Sequence, residues 1–307
     1  MYTKTPYVWS YAISQRTKKS VFLKLENNQP SGSFKLRGVS NLCKVAITEQ
    51  KFKFISSSGG NAGIAVAYCG KYLDTPVDVY VPSTTSHKSI AILQQLDANV
   101  VIYGESWAEA NRLAQSNCTA DDLFVHPFDD ARLWEGHGTL VDEISETPEG
   151  KPDAIVVAVG GGGLLSGVVR GLLRNGWDDV DILAVETIGA ASLNKSYELG
   201  QLTALDRIDT IATSLGAKQI CEFAFSARAF MNITPVVVTD SDAINACYRF
   251  LDDHNVLVEP ACGAALSLVY EEKYRSIISK YDSVAMVVCG GVTFSVEKLM
   301  ASYHGKR

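Results

Sequence analysis

The 307-residue sequence lacks any apolar stretch approaching the ~20 residues that cross a bilayer, so no membrane-spanning helix is expected. It lacks a long basic run, and its formal charge is −6, which disfavours nucleic acid as a partner. Its seven cysteines, at 43, 69, 118, 221, 247, 262 and 289, form no C-x-x-C pair and no zinc spacing with histidine. Their number is odd, and free thiols in a reducing compartment such as the cytoplasm are the expectation. Long linkers, low-complexity tracts and repeats of solenoid length are missing too. The first twenty residues hold no acid and carry Lys4, Arg16, Lys18 and Lys19, yet they show no clean amphipathic period. A strand-like run at 21–25 follows at once, so no cleaved leader is expected.

What is present is an ordinary globular composition, 47% hydrophobic and 20% charged. The length suits two packed lobes with a sizeable core. Strand-like runs at 21–25, 52–56, 77–81, 100–103, 154–159, 182–186, 235–239 and 284–289 alternate with helical patterns. The helical patterns cover 61–73, 88–96, 106–116, 164–173, 242–253 and 262–274. This alternation predicts an α/β fold with mainly parallel sheets. The runs 154–159 and 284–289 are apolar throughout, as strands covered on both faces should be. The stretch 146–152 reads as a surface connection ahead of the second half. Two sheets are expected, one smaller than the other, with a ligand between them.

Three segments carry chemistry. The first, Pro30-Ser31-Gly32-Ser33-Phe34-Lys35-Leu36-Arg37-Gly38, joins a strand to a helix-like segment. A lysine just inside a helix start feels the positive end of the helix dipole, which favours its free amine. Taken alone, Lys35 reads more readily as a solvated surface lysine at a helix start. The second, Ser56-Ser57-Ser58-Gly59-Gly60-Asn61-Ala62-Gly63, lets a ligand approach the backbone at a helix start. A carboxylate is its natural guest; a tight turn with an Asn cap is the plainer reading. The third, Gly160-Gly161-Gly162-Gly163-Leu164-Leu165-Ser166-Gly167, follows an apolar strand and makes an anion nest suited to phosphate. No Gly-Lys-Ser/Thr follows, so it is not a Walker loop. The third glycine of the dinucleotide fingerprint is replaced by Leu165 or Ser166, which favours a monophosphate over NAD.

Together these segments resemble the fold-type II pyridoxal 5′-phosphate (PLP) enzymes, tryptophan synthase β-like in fold, and most closely the L-serine/L-threonine dehydratase family. Ser33-x-Lys-x-Arg-Gly38 resembles that family's Schiff-base motif, Ser58-Gly-Gly-Asn-Ala-Gly63 its substrate loop and Gly160–Leu164 its phosphate loop. Their order matches from Thr5-Pro6 to the end of the chain. The resemblance implies two open twisted sheets flanked by helices. It implies a large PLP-binding domain of residues 1–38 and 130–307 and a small substrate-loop domain of residues 39–129. Lys35 would hold PLP and act as the base at Cα. Phe34 would cover one face of the pyridine ring, with Ser214 near the other. Asn61 would bond the phenolic oxygen, and Gly160, Gly161, Gly162, Gly163 and Leu164 would take the phosphate. Ser58, Gly59, Gly60, Asn61 and Ala62 would bind the substrate, with Ser58 a catalytic candidate beside Lys35. Departure of hydroxide needs an acid, which the resemblance assigns to the cofactor phosphate. His126, His137 and Glu135 are alternatives that no motif supports.

Cys289 would face the pyridine nitrogen. A neutral thiol does not enforce protonation of that nitrogen as a carboxylate would, which favours β-elimination over transamination. Within the family a Cys there, rather than Ser, points to mammalian-type serine dehydratases and their serine dehydratase-like paralogue. Glu186, Ala190, Ser192, Leu215 and Ala217 resemble a monovalent-cation site, with potassium the implied ion. Gly59 stands where some members carry Ala, and the smaller residue is expected to enlarge the space beside the substrate. The expected reaction is L-serine to pyruvate and ammonia, and L-threonine to 2-oxobutyrate and ammonia, in cytoplasmic amino-acid catabolism and gluconeogenesis. A homodimer is implied. Serine racemase, a β-replacement synthase and a weakly active PLP- or amino-acid-binding paralogue remain the alternatives.

Overall fold

A computed structural model describes residues 1–304. Among the described residues, ten strands occur in chain order: β1 Tyr7–Trp9, β2 Ser20–Leu25, β3 Lys53–Ser56, β4 Val77–Val81, β5 Asn99–Ile102, β6 Asp122–Val125, β7 Ala154–Ala158, β8 Asp181–Thr187, β9 Ile233–Val238 and β10 Ser283–Val288. They form a six-stranded sheet ordered β1-β2-β10-β7-β8-β9 and a four-stranded sheet ordered β5-β4-β3-β6. Every pairing is parallel except β1 with β2. The fold is therefore α/β, with two mainly parallel sheets flanked by helices.

The apolar pattern explains where the core sits. All five residues of β7 are buried, as are the last five of β10. Helices Gly163–Arg174 and Pro260–Tyr270 supply further buried side chains, and Pro260–Tyr270 is buried along its whole length. Strands covered on both faces need such continuous apolar runs. No helix among the described residues is long and apolar enough to cross a membrane.

Two strands escaped the sequence pattern. β1 has only three residues at a sheet edge, and Trp9 is 50% exposed. β6 starts on Asp122, and its apolar run, Leu123-Phe124-Val125, is only three residues long. The helical pattern at 262–274 is also shorter than expected. The helix is Pro260–Tyr270, and a 3-10 turn Glu272–Tyr274 follows it. Pro260 fits at the helix start because its missing N–H would have no partner there.

The parallel strands share one functional consequence. β2, β3, β7 and β10 run, at their carboxyl ends, into the Lys35 segment, the Ser58 loop, the glycine loop and Cys289. Ligands of open α/β sheets bind outside those carboxyl ends.

Candidate active site

Lys35 is the first residue of helix Lys35–Thr48. The segment before it is laced onto the end of β10. Phe34 N–H donates to Cys289 O at 3.1 Å, and Gly291 N–H donates to Gly32 O at 2.8 Å. Ser33 and Gly290 form an antiparallel bridge. These bonds set the lysine beside Cys289. Lys35 Nζ donates to Pro127 O at 2.5 Å and lies 5.2 Å from the centre of the Phe34 ring. Burial pushes its pKa down to about 8, against a smaller opposing effect of Cys289. The free amine is thus accessible near neutral pH, as a nucleophilic or basic lysine requires.

The glycine loop closes the same space from β7. None of the N–H groups of Gly160, Gly161, Gly162, Gly163 and Leu164 is bonded to a carbonyl or side chain among the described residues. Gly162 has φ +89°, which turns the backbone into the start of helix Gly163–Arg174. A Cβ on Gly160 would approach Leu215 Cα to 3.0 Å and Ser214 O to 3.2 Å, and one on Gly161 would meet the Phe128 ring. Five unsatisfied donors at a helix start make a phosphate-sized anion site. The buried hydroxyl of Ser33 also lacks a partner in the protein. The residues present therefore fit a phosphate-bearing cofactor.

The substrate loop opens helix Asn61–Leu73. The N–H groups of Gly59, Asn61 and Ala62 have no acceptor among the described residues, whereas Gly60 N–H donates to Ser58 Oγ at 3.3 Å. The Ser58 hydroxyl thus holds its own loop. A Cβ on Gly63 would sit 1.7 Å from Ser58 O, so the helix can begin this close to the loop only with glycine there. The side chain that Gly59 lacks would point at Thr85 Cγ2, 2.7 Å away, and Val81 Cγ1, 3.1 Å away. That corrects the expectation of extra space beside the substrate: Gly59 relieves packing against the end of β4.

The remaining residues meet around one carboxylate. Asn61 Nδ2 and Ser214 Oγ both donate to Glu259 Oε2, at 2.9 and 2.7 Å. Cys289 is buried, and hydrogen bonding to Cys262, together with burial, pushes its thiol pKa well up. It stays a neutral thiol.

The histidines and Glu135 take other parts. His137 is fully buried, its Nδ1 accepts from Gly38 N–H at 3.2 Å, and its ring packs 4.9 Å from that of Phe34. Burial, with Lys35 and Arg37 nearby, holds it neutral. It backs Phe34. His126 Nδ1 accepts from the N–H groups of Phe128 and Asp129 and so shapes the loop that meets Lys35. Glu135 pairs with Arg170 and Arg174 outside this space.

Glu186 and Ser192 meet at the end of β8. Glu186 is buried and accepts from the N–H groups of Leu193 and Asn194, both at 2.8 Å. The buried Ser192 hydroxyl has no partner. Ala190 is buried beside them in sequence, and Leu215 and Ala217 form a turn joined by an N–H to O bond of 2.8 Å.

Sequence reasoning missed Pro127, Phe128, Glu259 and Thr293. The signal for Glu259 was a lone acid before Pro260 in an otherwise apolar stretch, Val256-Leu257-Val258-Glu259-Pro260-Ala261. The loop holding Pro127 gave no comparable signal, because its carbonyl, not a side chain, makes the contact.

The chain as a whole is similar to known proteins. The chain is 40% identical to an L-serine dehydratase of Dictyostelium discoideum, over 97% of this chain and 91% of the relative. It is 42% identical to a human serine dehydratase-like protein, over 97% and 92%. The crystal structure of a fungal L-serine ammonia-lyase from Rhizomucor miehei superposes with a TM-score of 0.95 at 33% identity, covering 99% of this chain and 98% of that one. The family described as pyridoxal-phosphate dependent enzyme matches residues 1–290, and the chain belongs to that family.

Proposed function

We propose that the protein is an ammonia-lyase that converts L-serine to pyruvate and ammonia, and L-threonine to 2-oxobutyrate and ammonia. The observation that carries the reading is Lys35, with its lowered pKa, bonded through its own segment to a strand that ends on a neutral thiol. Bound PLP supplies an electron sink for the pair left at Cα.

The chain's own residues do the rest. The free N–H groups of 160–164 take the phosphate. Phe34, backed by His137, would cover one ring face, with Ser214 on the other side. Asn61 would bond the phenolic oxygen. The N–H groups of Gly59, Asn61 and Ala62 hold the substrate carboxylate at a helix start. Lys35 then takes the Cα proton, and its low pKa keeps enough free amine for this near neutral pH. Cys289, as a neutral thiol, would not draw a proton to the ring nitrogen, which would favour loss of the β-hydroxyl; that group would leave as water, its proton supplied by the cofactor phosphate. Glu186, Ala190, Ser192, Leu215 and Ala217 hold a monovalent cation, potassium; the partnerless Ser192 hydroxyl supports this. We read residues 1–38 and 130–307 as the large domain and 39–129 as the small one, in a cytoplasmic homodimer acting in amino-acid catabolism.

Addition of L-serine to the PLP-loaded protein tests the reading. Pyruvate and ammonia should appear in equal amounts, from a protein absorbing near ~410–420 nm. D-serine as the main product would instead establish a racemase, and a substituted alanine on adding a thiol a β-replacement synthase. A missing band would end the cofactor reading altogether.

Gly59 offers a second check. Gly59→Ala is expected to destabilise the protein by about 1–3 kcal/mol through overpacking against Thr85. Thr85→Ala in the same chain should restore most of that loss, measured by urea unfolding. Equal stability of wild type and Gly59→Ala would show that the loop yields freely.

A further inference from the structure

We propose that Glu259 is a positioning residue, which fixes the Asn61 amide and ties the substrate loop to the six-stranded sheet. The inference rests on the cofactor reading only in naming what Asn61 faces. Glu259 is 3% exposed. It accepts four hydrogen bonds: from Asn61 Nδ2 at 2.9 Å, Ser214 Oγ at 2.7 Å, Thr293 N–H at 2.8 Å and Thr293 Oγ1 at 2.6 Å. All four donors are neutral. A buried carboxylate held without a cation is costly, so a site that retains one has a use for its charge or its acceptor pattern.

The acceptor pattern is specific. Val292 N–H donates to Asn61 Oδ1 at 3.1 Å, which turns the amide so that Nδ2 faces Glu259. Thr293 N–H is backbone and cannot reverse its role. One carboxylate oxygen therefore faces a fixed N–H and the other an amide NH₂, and both must accept. A glutamine would set its own NH₂ against one of these donors. To avoid that clash Asn61 would have to turn over and give up Val292 N–H. The carboxylate thus decides which end of the Asn61 amide points where.

Position gives this consequence. Asn61 opens the helix that follows the substrate loop, and Thr293 lies in the loop after β10. A Cβ on Gly291 would come within 2.1 Å of Glu259 Cδ, so that loop closes over the carboxylate. Ser214 comes from a third segment, the 3-10 turn Thr213–Leu215. One carboxylate thus joins the cofactor-facing ends of both sheets.

The test uses cofactor-stripped wild type, Glu259→Gln, Asn61→Ala and the double variant, each titrated with PLP and followed by absorbance. Glu259→Gln and Asn61→Ala should each weaken PLP binding by about 10- to 100-fold. The double variant should bind no more weakly than the weaker single. The absorption band and its pH titration should shift in Glu259→Gln but not when the same change is made in Asn61→Ala. Thr293→Val removes one donor without adding another and should give a smaller loss in the same direction, even if Glu259→Gln folds poorly. Additive losses in the double variant, or wild-type affinity and band in Glu259→Gln, would overturn the proposal. A cofactor band that survives Lys35→Ala would instead sink the underlying reading, whatever Glu259 does.

Discussion

Lys35→Met is expected to stabilise the cofactor-free protein by about 2 kcal/mol below pH 8 and to lower pyruvate release by at least roughly 10³-fold. The two effects have one cause. Burial lowers the lysine pKa from 10.5 to about 8. At about 1.4 kcal/mol per pKa unit, holding the ammonium in the folded protein costs about 3 kcal/mol. Its bond to Pro127 O offsets roughly 1 kcal/mol of that. Below pH 8 the lysine is charged in both folded and unfolded chains, and the cost is fully present. Between pH 8 and 10.5 the folded protein loses the proton first, so wild type gains stability as pH rises. The advantage of Lys35→Met should therefore be full at pH 7 and nearly gone at pH 10.5. Urea unfolding of both cofactor-free proteins at pH 7, 9 and 10.5 reads it directly. A difference that does not change with pH would mean that Lys35 is not strained by burial. The variant cannot form the bond to PLP or remove the Cα proton, which accounts for the lost activity.

That strain was invisible in the sequence for a physical reason. Lys35 sits among Ser, Gly and Arg, and its local pattern is that of an exposed helix start. What covers its amine is the loop at Pro127, 92 residues further along the chain, whose carbonyl accepts its hydrogen bond. Features made by neighbours in sequence were legible. The four glycines of 160–163 follow the apolar β7 directly, and Asn61–Leu73 carries its own helical pattern to the residue. Features made across the fold were not. Glu259 meets Asn61 at a separation of 198 residues. Helix Ala131–Ser145 was hidden by Gly136 and Gly138, which look like breakers. They are there for contact instead: a Cβ on Gly136 would meet Arg37 O at 2.4 Å, and one on Gly138 would meet Gly167 O at 2.9 Å. Those glycines let this helix lie directly against the helices that carry Lys35 and the phosphate loop.

Arg37→Met is expected to cost about 3–5 kcal/mol, the range for breaking a buried ion pair from one side. Arg37 is fully buried and donates to Glu26 at 2.7 and 2.9 Å and to Glu143 at 2.7 and 2.6 Å. Lys24 completes the group through Glu143, at 2.6 Å. The two cations and two carboxylates balance, so the quartet is neutral as a unit. Burial alone would lower the Arg37 pKa, but bonding to Glu143 and Glu26 outweighs it and raises the value. Glu143 is opposed by burial too, yet Arg37 and Lys24 hold its carboxyl low. Removing Arg37 leaves two buried carboxylates against one lysine. Arg37→Met combined with Glu26→Gln restores the balance, because the Lys24–Glu143 pair survives. The double variant should thus be more stable than the sum of its single changes, by about 0.5–3 kcal/mol. The cost of Arg37→Met should also shrink in acid. The wild-type stabilisation through Glu143 is present above the ordinary carboxylate range and is lost as pH falls through its lowered pKa. Unfolding curves at pH 7 and pH 4 test both points, and strictly additive, pH-independent losses would contradict them. The site should feel the change as well. Arg37 lies two residues beyond Lys35 in the first turn of the same helix. The buried quartet that anchors this turn therefore also sets where the lysine amine stands relative to Cys289 and the glycine loop.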